Sequence, residues 1–429
     1  MPLRRLDLRG VPSAQMADRL PPAPPGHRFP TEEVAAIISE VRHGGDRALF
    51  DLTVRFDGTA PLSLAVAPAE IDDALVAVPS EVRAALELAW ARIRAYHAAQ
   101  VTAPPEYVTE GVRVQHLVRP VQRAGMYAPG GRARYPSTVL MCAAPARVAG
   151  VRELVLCVPP GLDGRIDQAT LAAAGIARVD EVYCVGGAQA VAAMALGTET
   201  IRPVDVVVGP GNRYVAEAKR QLSGVVGVPS AFTGPSEVVV VADDGTPAGW
   251  AAVDLAVQAE HGPDGLAWLL SWSERSIEEI DRALEEIVAA SPRRQELEAT
   301  LAGGGLAALV DGPAEALALS NAVAPEHLEL LVEGAEALLP LVERAGAVFL
   351  GPYAPASVGD YVAGPNHVLP TARTARFASA LGVHDFCTTV HAVTVEREGL
   401  ARLAPAVAAL AEVEGLPAHA ASVRVRVDG

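Results

Sequence analysis

From about residue 100 onward the chain alternates short apolar runs with alanine-rich segments, and this alternation restricts its fold more than any other feature. Arg113 to Val118, Leu154 to Val158, Glu181 to Val185, Val204 to Val208 and Val238 to Val241 read as strands. Ser137 to Ala149, Ala188 to Leu196 and Tyr214 to Leu222 read as the helices among them. The pattern continues with a helix at Ala248 to Glu260, a strand at Ala267 to Trp272, helices to about Ala302, and strands at Leu306 to Val310 and Ala347 to Leu350. A loop-rich stretch then runs to Thr371, and the last fifty residues read as helical around the apolar run Leu400 to Leu410. Upstream, the proline-rich stretch Pro21 to Pro30 separates an N-terminal arm from a helix beginning at Thr31 and reaching about Asp51, and a second long helix is expected over Ala69 to Ala99. Strands that alternate with helices favour a doubly wound α/β fold, its mostly parallel sheet covered on both faces.

At 429 residues the chain exceeds what one hydrophobic core usually supports, so two or more domains are expected. Acidic residues outnumber basic ones by 51 to 35, and no basic tract is long enough to follow a phosphate backbone, which argues against nucleic acid as a partner. No apolar run reaches membrane-spanning length and the first residues carry no apolar signal core, so no membrane association is expected and the protein is read as soluble and cytoplasmic. Cys142, Cys157, Cys184 and Cys387 are widely spaced without metal-type pairing, and buried reduced thiols are expected.

Two glycine-rich turns follow strand-like runs, Val185-Gly186-Gly187-Ala188-Gln189 and Val208-Gly209-Pro210-Gly211-Asn212, and a third, Tyr127-Ala128-Pro129-Gly130-Gly131, precedes another helix in the same unit. Such turns present helix N-termini to anions at the edge of an α/β sheet, although each alone is also an ordinary tight turn and none reads GxGxxG. Gln258 and His261 stand three apart near a helix end, a spacing that suits either a metal pair or a histidine capping carbonyls. Glu326 and His327, at a loop-to-helix junction, could supply a carboxylate and an imidazole for proton transfer or simply open a helix. Asp360 and His367 lie in an irregular glycine-rich stretch, and Glu414 and His419 flank a Gly-Leu-Pro break near the C-terminus. His27, His43, His97, His116, His384 and His391 lack such company and read as surface or structural residues.

Taken in order, these segments resemble the histidinol dehydrogenase family. The stretches that carry the resemblance are MYAPGG (126 to 131), PSTVLM (136 to 141), VGGAQA (185 to 190), GTET (197 to 200), VGPGN (208 to 212), GPSE (234 to 237), QAEHGPD (258 to 264), APEHLE (324 to 329), GDYVAGPNHVLPT (359 to 371) and EGLPAH (414 to 419). The resemblance implies NAD-dependent, two-step oxidation of L-histidinol through L-histidinaldehyde to L-histidine, the last step of histidine biosynthesis. Two NAD would be consumed per turnover, with one zinc per subunit. It implies zinc ligands at Gln258, His261, Asp360 and His419, the last supplied across a homodimer with shared active sites. It places NAD contacts at Tyr127, Gln189 and Asn212, and the acid/base pair at Glu326 and His327. Substrate contacts would be Ser236, Gln258, His261, His327, Asp360, His367, Glu414 and His419.

The expected organisation is two Rossmann-like, doubly wound, mostly parallel α/β domains with an N-terminal arm and a C-terminal helical appendage. Residues 1–25 form the arm, 26–126 with 237–378 the first α/β domain, 127–236 an inserted nucleotide-binding domain, and 379–429 a helical dimerisation segment. The chain departs from the family pattern at RARY (132 to 135) and GVPSAFT (227 to 233), which flank the nucleotide and substrate turns. These departures leave room for a paralogous zinc and NAD dehydrogenase acting on another small amino alcohol or diol. A zinc hydrolase would leave the glycine turns unexplained.

Overall fold

The computed structural model describes residues 3–21, 29–130, 134–229, 236–260, 262 and 265–428. The chain opens with strand β1 (Arg4–Asp7), followed by α1 (Thr31–Asp57), α2 (Pro68–Ala77) and α3 (Ser80–Ala98). The single helix expected over Ala69 to Ala99 is therefore two. Pro79 excludes helical geometry from the residue before it, and Val78 is extended (φ −61°, ψ 139°).

Next come β2 (Glu106–Thr109), β3 (Val112–Pro120), β4 (Arg123–Tyr127), α4 (Pro136–Ala149), β5 (Glu153–Val158) and α5 (Gln168–Ile176). They lead into β6 (Glu181–Cys184), α6 (Gly187–Leu196), β7 (Val206–Val208) and α7 (Arg213–Leu222). Strands β6-β5-β4-β7 form a parallel sheet in that order. The winding direction reverses between β4 and β7, which makes their carboxyl ends the natural crevice of this sheet.

The chain continues with β8 (Glu237–Ala242), α8 (Ala248–Ala259), β9 (Leu266–Ser271), α9 (Glu274–Ala290), α10 (Arg294–Gly304), β10 (Gly305–Leu309) and α11 (Pro313–Val323). After these come β11 (His327–Leu330), β12 (Ala347–Leu350) and the short α12 (Ala356–Tyr361). A second parallel sheet has the order β1-β10-β9-β8-β11-β12, with its reversal between β8 and β11. The N-terminal segment thus contributes an edge strand. Met16, in the short helical turn that follows β1, packs into the same core as Leu317 and Trp268.

Alternate residues of β8 face opposite layers, as the two-residue period of a strand requires. Val238 and Val240 join Leu255, Ile280 and Leu297 in one core, while Val239 and Val241 join Trp268, Leu317 and Leu328 in another. The four-stranded sheet is sandwiched likewise. Val34, Leu49, Leu52, Val155, Val191 and Val207 share one core, and Ile93, Leu140, Leu154 and Phe386 share the other.

The chain ends with β13 (Cys387–Val395), α13 (Arg397–Val413) and α14 (Pro417–Val427). Two expectations are corrected here. The segment Arg113 to Val118 belongs to an antiparallel sheet, β13-β3-β2, and not to a parallel one. The last fifty residues are not all helical, because Cys387–Val395 pairs along the whole of β3. Cys142, Cys157 and Cys184 are buried free thiols as expected, whereas Cys387 is half-buried.

Candidate active site

At the carboxyl ends of β4 and β7 the glycine turns allow backbone to approach backbone. Gly209 has φ 105°, and a Cβ there would sit 2.1 Å from the Tyr127 carbonyl oxygen, so a side chain is excluded. The Lys219 ammonium, buried below this turn, donates to the Gly209 carbonyl, and burial pushes the lysine down to about 8. Tyr127 is buried, and its hydroxyl accepts from Gly187 N at 3.2 Å at the start of α6. Burial pushes this phenol up to about 12.

Gln189, 1% exposed, has neither amide atom partnered among the described residues. Asn212 caps α7, its Oδ1 accepting from Tyr214 N at 2.9 Å and Val215 N at 3.1 Å. The amide N–H donors of Asn212 are not used in the cap.

A second cluster gathers at the amino ends of β8 and β11. Glu326 and His327 do not open a helix as expected; His327 begins a central strand paired with both β8 and β12. Ala324, in the left-handed region at φ 51°, ends α11 and turns the chain into that strand. His327 is 3% exposed. Its Nδ1 donates to the Glu237 carbonyl at 3.1 Å, its Nε2 stands 3.4 Å from Asp360 Oδ1, and Glu326 Oε2 lies 3.5 Å from Nδ1. Burial works against charging the imidazole, but Glu326 and Asp360 outweigh it and hold His327 well above its usual range.

His367 joins from the loop after α12. Its Nδ1 donates to the Asp360 carbonyl at 2.8 Å, which leaves Nε2 to accept from the Thr138 hydroxyl at 3.2 Å. Burial pushes His367 below its usual range. Thr138 belongs to α4, the helix that follows β4, so this hydrogen bond joins the acid/base cluster to the element leaving the glycine-lined crevice.

Gln258 is buried near the end of α8, and its Nε2 lacks a partner among the described residues. Burial, then the charges of Asp360 and Glu260, raise the Tyr361 phenol above its usual range. Ser236, half-buried, immediately precedes β8. His261 lies outside the described residues, as do parts of the two departing stretches, 132–133 and 230–233. Glu414 and His419 are exposed on the α13–α14 hairpin, and among the described residues no group of three His, Cys, Asp or Glu converges as a metal cage.

The sequence reading missed Thr138, Glu237 and Glu329. The first two lie inside PSTVLM and GPSE, next to or near residues that were singled out. Glu329, two residues beyond His327 on β11, accepts from Ala356 N at 2.9 Å at the start of α12, which carries Asp360. An acid at an apolar strand position was its available signal. His97, expected to be structural, is buried with Nδ1 on the Ile93 carbonyl at 2.8 Å.

A parallel α/β molecule with a glycine-lined crevice linked by a hydrogen bond to a buried Glu–His pair has the parts of a ligand-binding acid/base enzyme. The histidinol dehydrogenase profile matches residues 28–427. Histidinol dehydrogenase from Prochlorococcus marinus (strain MIT 9313) is 47% identical over 398 residues, 92% of this chain and 89% of that protein. The Gluconobacter oxydans (strain 621H) enzyme is 46% identical over 408 residues, 94% of each. The crystal structure of histidinol dehydrogenase from Elizabethkingia anophelis superposes with a TM-score of 0.93 at 33% identity, covering 99% of this chain and 98% of that one. The chain belongs to the histidinol dehydrogenase family, and it is an oxidoreductase. Among the described residues no helix is long and apolar enough to cross a membrane.

Proposed function

We propose that this chain oxidises L-histidinol through L-histidinaldehyde to L-histidine, reducing two NAD per substrate, as a cytoplasmic homodimer with one zinc per subunit. The observation that carries the reading is the hydrogen-bonded chain from His327 through Asp360 and His367 to Thr138, which sets the proton-handling pair beside the glycine-lined crevice.

The residues fit both absent groups. The Gln189 amide, 1% exposed and unpartnered among the described residues, and the N–H donors of Asn212 that its cap does not use suit a polar nucleotide beside Tyr127. The buried Gln258 amide and the Asp360 carboxylate, with His261 and the partner's copy of His419, make an oxygen and nitrogen donor set suited to zinc. When bound, zinc would orient the substrate through its imidazole and amino nitrogens, and NAD would accept the hydrides.

Within the chain, His327 in its neutral form takes the substrate hydroxyl proton at Nε2; its Nδ1 is committed to the Glu237 carbonyl, and an Asp360 carboxylate given over to zinc would no longer hold Nε2 as a donor. Glu326 removes a proton from the water that adds to the aldehyde carbon, and its burial beside His327 keeps bulk solvent away. Ser236, His367 and Glu414 hold the substrate's polar ends.

The exposed apolar residues Leu403, Val407 and Leu410, at helical spacing on α13, support assembly through residues 379–429. The glycine turns likewise support 127–236 as the nucleotide-binding unit. The test is a stoichiometry: the zinc-loaded protein should form two NADH per L-histidinol consumed and lose this activity on chelation. One NADH per substrate, or none, rejects the reading.

A further inference from the structure

The carboxyl of Glu237, the first residue of β8, has no role in the reaction as described above, yet Glu237 is bonded to Glu326, to His327 and to the turn that ends the His367 loop. Glu237 is 2% exposed. Oε2 accepts from Glu326 N at 3.3 Å, and Oε1 accepts from Ala372 N at 3.0 Å. In return Glu237 N donates to Glu326 Oε2 at 3.0 Å, and the Glu237 carbonyl accepts from His327 Nδ1 at 3.1 Å. Glu237 and Glu326 therefore exchange backbone N–H to carboxyl bonds.

The Ala372 end of this arrangement matters as well. Ala372 (φ 53°) and Arg373 (φ 66°) both stand in the left-handed region, which residues with a side chain avoid. They end the loop that carries Asn366 and His367, and the Ala372 N–H in that turn is held by Glu237. Burial, then the nearby Glu326 charge, push Glu237 up to about 8. The surroundings therefore disfavour two charges side by side, while the geometry still demands two acceptor oxygens.

We propose that Glu237 is a positioning residue for the acid/base pair, its two carboxyl oxygens fixing the Glu326 backbone and the end of the His367 loop at once. This rests on the reading of Glu326 and His327 as the proton-handling residues. A carboxamide cannot replace the carboxyl, because one of its two ends is an N–H donor and would face either Glu326 N or Ala372 N. Each buried N–H left without an acceptor displaces the chain that carries it, and small displacements of catalytic groups cost turnover far more than affinity.

The experiment compares Glu237→Gln, Glu326→Gln and the double variant in the zinc-loaded full chain, with zinc content measured alongside L-histidinol kinetics. Glu237→Gln is expected to lower kcat on the order of tenfold to a hundredfold while KM and zinc content stay within about twofold of wild type. Because Glu237 acts on the same pair, the loss in the double variant should fall well short of the product of the two single losses. Normal kcat in Glu237→Gln, or a double variant slower by the product of the two single losses, overturns the proposal. Normal turnover in Glu326→Gln would instead overturn the acid/base reading and the proposal with it. If Glu237→Gln does not fold, Glu237→Asp takes its place: its shorter stem cannot reach Glu326 N and Ala372 N at once, so the same fall in kcat with unchanged zinc content is expected.

Discussion

The Thr138 hydroxyl lies 3.2 Å from Nε2 of His367. These residues are 229 positions apart, one at the start of the helix after β4 and the other in the loop after α12. Their contact is where the crevice of the four-stranded sheet meets the acid/base cluster of the six-stranded one. The family's chemistry needs both parts at the same carbon.

On the cluster side, His327→Asn should reduce turnover at least a thousandfold, in line with loss of a general base, while L-histidinol still binds. Single-turnover kinetics and equilibrium binding together check this. Turnover near wild type would remove His327 from the mechanism.

Across the dimer, the exposed His419 should complete a neighbour's site. Mixing inactive His419→Asn chains with inactive His327→Asn chains, under conditions of subunit exchange, should then recover about a quarter of wild-type sites, because half of the dimers are mixed and each holds one intact site. No recovery after demonstrated exchange counts against a shared site.

At the crevice, Gly209→Ala should destabilise the fold by about 3 kcal/mol, from left-handed strain together with the 2.1 Å approach to the Tyr127 carbonyl. Urea unfolding measures the loss. An unchanged midpoint would show that the turn relaxes freely.

Stability should fall as the solution becomes alkaline. Burial pushes Cys142 and Cys184 from 9.0 up to about 12 and raises Cys157 as well, so the native state holds protons that the unfolded chain releases. Their stabilisation is complete below about pH 9 and is lost as pH rises toward 12, at ~1.4 kcal/mol per pH unit for each thiol. Lys219, pushed down from 10.5 to about 8, works in the opposite sense between those values, one group against three. Urea midpoints between pH 9 and 11 should decline, and less steeply in Cys157→Ala. A flat or rising wild-type profile contradicts the account.

Much of the parallel architecture was legible because its signals are local. Val238 to Val241 and Leu154 to Val158 are apolar runs that need burial on both faces, and the glycine turns after β6 and β7 mark where backbone must reverse. Arg123–Tyr127 and Arg4–Asp7 escaped notice because a short run with an arginine looks polar until its neighbouring strands are known. Cys387–Val395 escaped for a related reason, since it is an exposed strand whose partner β3 lies far upstream.

The sequence by itself determined the alternation of elements, the ordered motifs and the residue types available for proton transfer. Tertiary structure alone decided that His327 starts a strand, that Glu237 and Glu326 exchange hydrogen bonds, and that Thr138 reaches His367. The physical reason is range. Turn geometry and burial pattern act over a few neighbouring residues, whereas a buried polar group is placed by whichever donor or acceptor the fold brings to it from far along the chain.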